Sequence, residues 1–180
     1  LRDGDGLVGV VHTTGEDDVL LATSSGMSIR FQETAARVMG RTAAGVKGIA
    51  LAGEDEVVGL VRVMDDADLL TVTTNGYGKR TPMDDYLVHC ESGTRPQSRG
   101  GKGRRDIKTA GRNGPVVTIR CVVDDDGMVL ASESGMLVRI PVDSISRVGR
   151  NTMGVRLVNL KSGDHVVAAA KIADENGHDD

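Results

Sequence analysis

The chain has 180 residues, 39% of them hydrophobic and 27% charged, and a formal net charge of −4. Its apolar runs are too short to cross a bilayer, no secretory signal is visible, and two cysteines are too few for a disulfide scaffold. We therefore expect a folded cytoplasmic protein with no membrane partner. Only 2% of the residues are aromatic and 24 are glycine, which indicates many short strands joined by tight turns.

The first 12 residues contain one apolar run, residues 7–11, which predicts a single strand. This run resembles the closing strands of the three repeats that follow it. We interpret it as the closing strand of a preceding repeat, so that the chain would be a fragment of a longer array.

Three similar segments come next, at residues 18–30, 68–80 and 127–139. Each has an apolar run, a polar pair, a glycine and a shorter run that ends in arginine. The glycines are Gly26, Gly76 and Gly135. A glycine at such a place favours a hairpin turn because it adopts positive φ without strain. The sequence therefore predicts three β-hairpins, spaced 50 and 59 residues apart.

A second glycine marks a loop after each hairpin. It lies 19 residues after the hairpin glycine in the first and third units, at Gly45 and Gly154, but 27 residues after it in the second, at Gly103. The second unit thus holds an insertion of eight residues. Closing strands follow at 56–58, 115–117 and 165–167. Each unit then has four short strands in about 50 residues, the size of a propeller blade.

The predicted fold is all-β: a propeller-like array of four-stranded blades, with three blades and one leading strand. Residues 174–180 hold four acids in seven residues, so we expect a disordered, solvated tail. The predicted boundaries are 1–12 for the closing strand of a preceding blade, 13–63 for a blade, 64–123 for a blade with the insertion, 124–173 for a blade, and 174–180 for the tail.

Charge is distributed unevenly along the chain. Residues 95–112 carry a net charge of +6, and the remainder therefore carries −10. A flexible, glycine-rich loop with clustered cations suits a nucleic-acid phosphate backbone, and a solvated charged loop is the alternative. The cations of this basic segment, opposed by Asp106 alone, are Arg95, Arg99, Lys102, Arg104, Arg105, Lys108 and Arg112.

Further arginines recur with the repeat. At equivalent blade positions they would form a basic belt around a curved rim. Alternatively, each pairs with an acid of its own blade, for which Asp18 and Asp68 are candidates. The recurring residues are Arg30, Arg80 and Arg139 at the hairpin ends, and Arg41 and Arg150 in the loops.

Four segments carry a family resemblance: residues 38–46, 75–81, 97–103 and 149–155. Together they resemble the C-terminal domain of DNA gyrase A, and the resemblance extends from Leu7 to about Ala173. It implies a β-pinwheel, a disc of four-stranded blades that exchange strands with their neighbours. It also implies a module that wraps duplex DNA around a basic rim without reading its bases, and so supports negative supercoiling.

The segment 97–103 resembles the seven-residue box of that family, although Ser98 stands where the family usually has a basic residue. The box normally accompanies the first blade, whereas here it follows the hairpin at 68–80. By resemblance, the box residues are Gln97, Arg99, Gly100, Gly101, Lys102 and Gly103. The other residues predicted to contact DNA are Arg95, Arg104, Arg105, Lys108, Arg41, Arg150, Lys79 and Arg80.

The resemblance implies three partners: duplex DNA, the remainder of gyrase A, and gyrase B. ATP and Mg²⁺ would act elsewhere in the holoenzyme, so no cofactor is expected here and this segment is not an enzyme on its own. One alternative is the C-terminal domain of topoisomerase IV, and another is a protein-interaction propeller with an incidental basic loop. A third is a small hydrolase that uses Cys90 with His89, or a serine.

Overall fold

The computed structural model describes residues 4–172, and these form short strands and three 3-10 turns without an α-helix. The all-β prediction is confirmed. The 3-10 turns are Glu33–Ala35, Met83–Tyr86 and Val142–Ser144. The strands are β1 (Asp18–Thr23), β2 (Met27–Gln32), β3 (Val57–Arg62), β4 (Asp68–Thr73), β5 (Tyr77–Pro82), β6 (Val88–Cys90), β7 (Gly93–Arg95), β8 (Arg104–Arg105), β9 (Val116–Val122), β10 (Gly127–Ser132), β11 (Leu137–Pro141), β12 (Val155–Arg156) and β13 (Val166–Ile172).

The three predicted hairpins are present, as β1–β2, β4–β5 and β10–β11. Their turns contain Gly26, Gly76 and Gly135 at φ of 81°, 78° and 87°. The registers are equivalent, with Asp18 opposite Gln32 and Asp68 opposite Pro82. Positive φ at each turn explains why the repeat keeps a glycine there.

Three sheets correspond to the three units, with strand orders β3-β1-β2-β8, β9-β4-β5-β12 and β13-β10-β11. The first two sheets exchange strands along the chain. Strand β8, from the second unit, completes the first sheet, and β12, from the third unit, completes the second. The third sheet has three strands among residues 4–172. The repeat pattern alone assigns four strands to each chain segment, whereas this exchange between neighbouring sheets is the one that the β-pinwheel resemblance implies.

The closing strands lie at the inner side of the array, because β9 packs against both β3 and β13. Each sheet then runs outward from its closing strand, and the exchanged strands β8 and β12 lie furthest out. This order defines an outer rim, whose strands β8 and β12 come from the loops that follow the second and third hairpins.

Alternate residues of a strand fill the spaces on its two sides. Leu69 and Ile119 pack with Leu20 between the first and second sheets, whereas Leu70 packs with Met128 between the second and third. The middle strand β4 is therefore buried along its whole length. Aliphatic side chains supply most of this core, as the low aromatic content predicts.

The insertion in the second unit forms an additional hairpin, β6–β7, which the repeat pattern did not predict. Residues 5–14 form no strand, and Leu7 and Val10 are exposed, so their role as the closing strand of a preceding blade stays a prediction. The predicted tail, 174–180, lies outside the described residues.

Candidate nucleic-acid interface

The basic segment follows the β6–β7 hairpin and ends on the outer rim. Its residues Lys102, Arg105 and Lys108 are exposed, and Arg104 is half-buried. Strand β8 places Arg105 opposite Met27 and Arg104 opposite Ser28. Strand exchange therefore carries the cationic loop to the outermost edge of the first sheet, where a long polyanion has access to it.

The box glycines allow the backbone to pack closely. A Cβ on Gly103 would lie 2.4 Å from the Ser28 carbonyl oxygen, and one on Gly154 would lie 2.5 Å from that of Gly78. Both glycines have a φ of 70°. Gly100 donates its N–H to the Gly48 carbonyl at 2.7 Å. The glycine pattern of the box thus first serves to dock the loop on the neighbouring blade.

Gln97 also faces the protein. Its backbone N–H donates to the Arg30 carbonyl at 2.8 Å, which attaches the start of the box to β2. Its side-chain nitrogen Nε2 is buried and has no hydrogen-bond partner among residues 4–172. The structure therefore gives Gln97 a position inside the loop instead of on the rim surface.

The loop arginines make an equivalent contact in two units. Arg99 donates through Nε to the Ala35 carbonyl at 2.9 Å, and Arg150 donates through Nε to the Asp85 carbonyl at 2.6 Å. Ala35 and Asp85 occupy equivalent 3-10 turns of the preceding sheets. Arg99 also donates to the Lys47 carbonyl. These arginines hold each loop on the preceding blade, whereas Arg41, their counterpart in the first unit, is exposed.

Lys79 was predicted to contact DNA, and the structure contradicts this. Its side chain is fully buried, and Nζ donates to the carbonyls of Asp106 at 2.8 Å and Gly149 at 3.0 Å. Nζ also lies 3.1 Å from the Asp106 carboxylate. Burial lowers the pKa of Lys79, and the Asp106 carboxylate opposes this effect. A cation so enclosed cannot reach a phosphate outside.

The Asp106 carboxylate is the centre of a buried cluster. Its Oδ1 accepts a hydrogen bond from the Tyr86 hydroxyl and its Oδ2 one from Thr71 Oγ1, each at 2.6 Å. Burial, and then the neighbouring Asp106 charge, raise the pKa of Tyr86 well above its usual value. The carboxylate of Asp106, the one acid of the basic segment, is therefore paired inside the protein. The neighbouring cations Arg105 and Lys108 are exposed.

Arg80 is likewise removed from the predicted interface. It is buried and donates through Nε to the Ile145 carbonyl at 2.8 Å, with Asp68 at 3.6 Å and an ion pair to Asp124. Arg30 pairs with Asp18 at 2.7 Å. Pairing with an acid is thus correct for the first two hairpin arginines. Arg139, at the same place in the third unit, is exposed.

The sequence prediction did not include two exposed cations, Arg156 on the outer strand β12 and Lys47 in the loop of the first unit. Each lies two residues after a loop glycine, as Arg105 does, so this shared offset was the signal available in the sequence. Strand β12 places the exposed Arg156 opposite Tyr77, equivalent to Arg105 opposite Met27. Arg156 lies over the Tyr77 ring at 5.4 Å, and Arg112 does so at 4.9 Å.

The hydrolase alternative is not supported by the hydrogen bonds of Cys90. Cys90 Sγ donates to the Gly93 carbonyl at 3.2 Å, and its pKa is lowered mainly by a hydrogen bond from Ser92. No hydrogen bond joins Cys90 to His89 within the described part of the chain. Residues 4–172 also contain no group of three metal-ligating side chains and no helix long and apolar enough to span a membrane.

The fold and this interface define a class of protein: a propeller-like array whose exchanged outer strands carry repeated cations. The family model described as DNA gyrase C-terminal domain, beta-propeller, matches residues 17–64, 67–89, 95–122 and 128–173. The chain belongs to that family. Within the second unit, residues 65–66, 90–94 and 123 are unmatched, and the segment 90–94 contains the turn of the additional hairpin.

Curated relatives agree with this membership. The chain is similar to DNA gyrase A of Salmonella typhimurium (strain LT2), with 45% identity over 97% of this chain and 19% of the relative. It is 47% identical to DNA gyrase A of Haloquadratum walsbyi, over 91% of this chain and 18% of the relative. The chain therefore spans about a fifth of the length of these relatives.

Solved structures show the same architecture. The DNA gyrase A C-terminal domain superposes with a TM-score of 0.79 and 26% identity, covering 89% of this chain and 52% of that one. The C-terminal domain of DNA topoisomerase IV superposes with a TM-score of 0.77 at 21% identity, covering 88% and 47%, and supports the fold alone. The relatives thus favour gyrase over the topoisomerase IV alternative.

Proposed function

We propose that this chain binds duplex DNA along its outer rim and bends it, as part of a gyrase A protein. The observation that carries the proposal is the placement of the exchanged strands. Strands β8 and β12 form the outermost edges of successive sheets, and each carries an exposed arginine at the same register, Arg105 and Arg156. Repeated cations on a curved edge suit the repeated phosphates of a duplex.

The interface has features of backbone binding and not of base reading. Lys102, Arg105, Lys108 and Arg156 are exposed, and no described helix is available to enter a major groove. The guanidinium groups of Arg112 and Arg156 lie over the ring of Tyr77, so this ring offers no free face on which an unpaired base could stack. Double-stranded DNA held through its phosphates, without sequence preference, is therefore the ligand that this rim fits.

Family membership supports a wider setting for the proposal. In the proposed role, this segment supplies no chemistry itself, and the remainder of gyrase A together with gyrase B carries out strand passage in the bacterial cytoplasm. ATP and Mg²⁺ would bind in those other parts. The wrapped DNA on this rim would give the passed segment a fixed handedness.

A salt titration tests DNA binding. Four rim cations in contact with phosphates predict that log K falls with log salt at a slope near −3.6, about 0.9 per contact. Replacing Lys102 and Lys108 with glutamine should reduce the slope by about 1.8. Fluorescence anisotropy on a labelled linear duplex measures both quantities.

The matched control is the charge-equivalent double variant Arg62→Gln/Lys171→Gln. These cations lie on the innermost strands β3 and β13, away from the rim. The control should bind DNA as the unaltered chain does. Absence of binding by the unaltered chain at low salt would contradict the proposed function and favour the protein-interaction alternative.

A further inference from the structure

A notch of about 480 Å³ opens at the rim between the first and second sheets. One wall is strand β8 with Arg104 and Arg105, and the other is the loop of the third unit with Arg150 and Asn151. Asp85 is the one acid in the lining. Three guanidinium groups against one carboxylate give the notch a net charge of +2.

Two of the arginines are held in place by backbone carbonyls. Arg104 donates through Nη1 to the Leu87 carbonyl at 3.3 Å, and Arg150 donates through Nε to the Asp85 carbonyl at 2.6 Å. Each guanidinium keeps further N–H groups for a ligand, because each of these bonds uses one of five donors. The Arg105 side chain is exposed, and it makes no hydrogen bond or ion pair within residues 4–172. A planar, anchored guanidinium fits the oxygens of a phosphate better than a flexible ammonium does.

The two walls are tied together behind the notch. The backbone N–H of Asn151 donates to the Asp106 carbonyl at 2.6 Å, and Lys79 Nζ bridges the Asp106 and Gly149 carbonyls. Lys79 and Asp106 are both fully buried. These core contacts fix the backbone of β8 relative to the backbone of the third-unit loop, so less ordering of the two walls is needed when a ligand binds.

We propose that this notch is a phosphate seat at the seam between the first two sheets. It takes a single phosphate group, which Arg104, Arg105 and Arg150 hold together. The source, a phosphate of the DNA backbone, rests on the proposed function. A seat of this kind fixes where the duplex crosses the seam, which a uniform belt of surface cations does not.

The test uses inorganic phosphate as the probe, at constant ionic strength with chloride as the exchanged anion. Nuclear magnetic resonance of the full chain should show saturable shifts of the amide signals of Arg105, Arg150 and Asn151. The double variant Arg104→Gln/Arg105→Gln should weaken phosphate binding at least tenfold. The control Arg62→Gln/Lys171→Gln has the same change in charge and should bind phosphate as before, and circular dichroism should show that both variants remain folded.

Duplex DNA in the same samples identifies the source. If DNA displaces phosphate from the notch, and the Arg104→Gln/Arg105→Gln variant loses more DNA affinity than Lys102→Gln/Lys108→Gln, the seat holds a backbone phosphate. Phosphate binding without DNA binding would support the notch as a site for free phosphate, and it would contradict the proposed function. Shifts that do not saturate, or that the control variant loses equally, would overturn the seat whether or not DNA binds.

Discussion

At the scale of single residues, the cluster of Lys79, Asp106 and Tyr86 links the rim to the core. A buried ion pair contributes little net stability, because desolvation offsets the attraction, but removing one partner is costly. Here the cluster also holds the third-unit loop through Gly149 and Asn151. Its role is therefore to set the position of the rim loops relative to each other.

Tyr86 makes this cluster sensitive to alkaline pH. Its pKa is raised in the folded chain, so its contribution to stability is complete below the unfolded pKa, near 10, and is lost as pH rises through the folded pKa. Tyr86→Phe removes the hydrogen bond to Asp106 and should lower the free energy of unfolding by about 1–3 kcal/mol at pH 8. The variant should also lose less stability than the unaltered chain between pH 10 and 12. Urea unfolding at several pH values measures both effects.

Tyr77→Phe is the control for that experiment, because the Tyr77 hydroxyl lies at the surface and receives hydrogen bonds from the exposed Arg156. It should change stability by less than about 1 kcal/mol at pH 8. Equal losses of unfolding free energy in Tyr86→Phe and Tyr77→Phe would contradict a stabilising role of the hydrogen bond from Tyr86 to Asp106.

The burial of Lys79 in this cluster could not be predicted from the sequence. Lys79 precedes Arg80 in a polar hairpin strand, and nothing in that local pattern distinguishes a surface cation from a buried one. Its burial depends on β8 and the 149–151 loop arriving from distant parts of the chain. By contrast, pairing of Arg30 with Asp18 occurs within one hairpin, and the sequence offered that alternative correctly.

At the scale of elements, the exchanged strand is the feature that makes the rim. Hairpin positions were predictable, because a turn glycine between apolar runs is a local signal. The partner of β8 was not predictable from spacing, since neighbouring strands usually pair with each other and β8 pairs instead with β2, more than 70 residues earlier in the chain. The repeat nevertheless located the exchanged loops, because Gly103 and Gly154 make the same close contact.

This contact predicts that Gly103→Ala disrupts the attachment of β8. Alanine at a φ of 70° is strained by about 1–2 kcal/mol, and its Cβ would also meet the Ser28 carbonyl oxygen at 2.4 Å. Gly45→Ala is the matched control, because Gly45 has a φ of 81° at the equivalent position but open space around it. Gly103→Ala should therefore destabilise the chain more than Gly45→Ala, as measured by thermal unfolding. Equal destabilisation would mean that strain in φ alone requires glycine here.

At the scale of the whole molecule, the low net charge conceals a strong separation of sign. The chain is acidic by four charges, yet its basic segment carries +6, and strand exchange places that segment on the outer edge. Internal pairing uses Asp106, Asp68 and Asp18, so the acids nearest the hairpins are neutralised by buried or half-buried cations. The field at the rim is thus more positive than the composition suggests.

Because the blades are arranged around an axis, the rim is curved, and DNA that follows it must bend. Bending a site of 20–30 base pairs by 40–90° costs about 1–6 kcal/mol, which the phosphate contacts must offset. A duplex with a flexible two-base bulge at its centre needs less of this energy and should bind about tenfold more tightly than an intact duplex, corresponding to about 1.4 kcal/mol. Competition anisotropy with the two duplexes at one salt concentration measures the ratio. A chain that binds DNA along a straight path would show no preference, and Arg62→Gln/Lys171→Gln should keep the full preference, since its substitutions leave the rim unchanged.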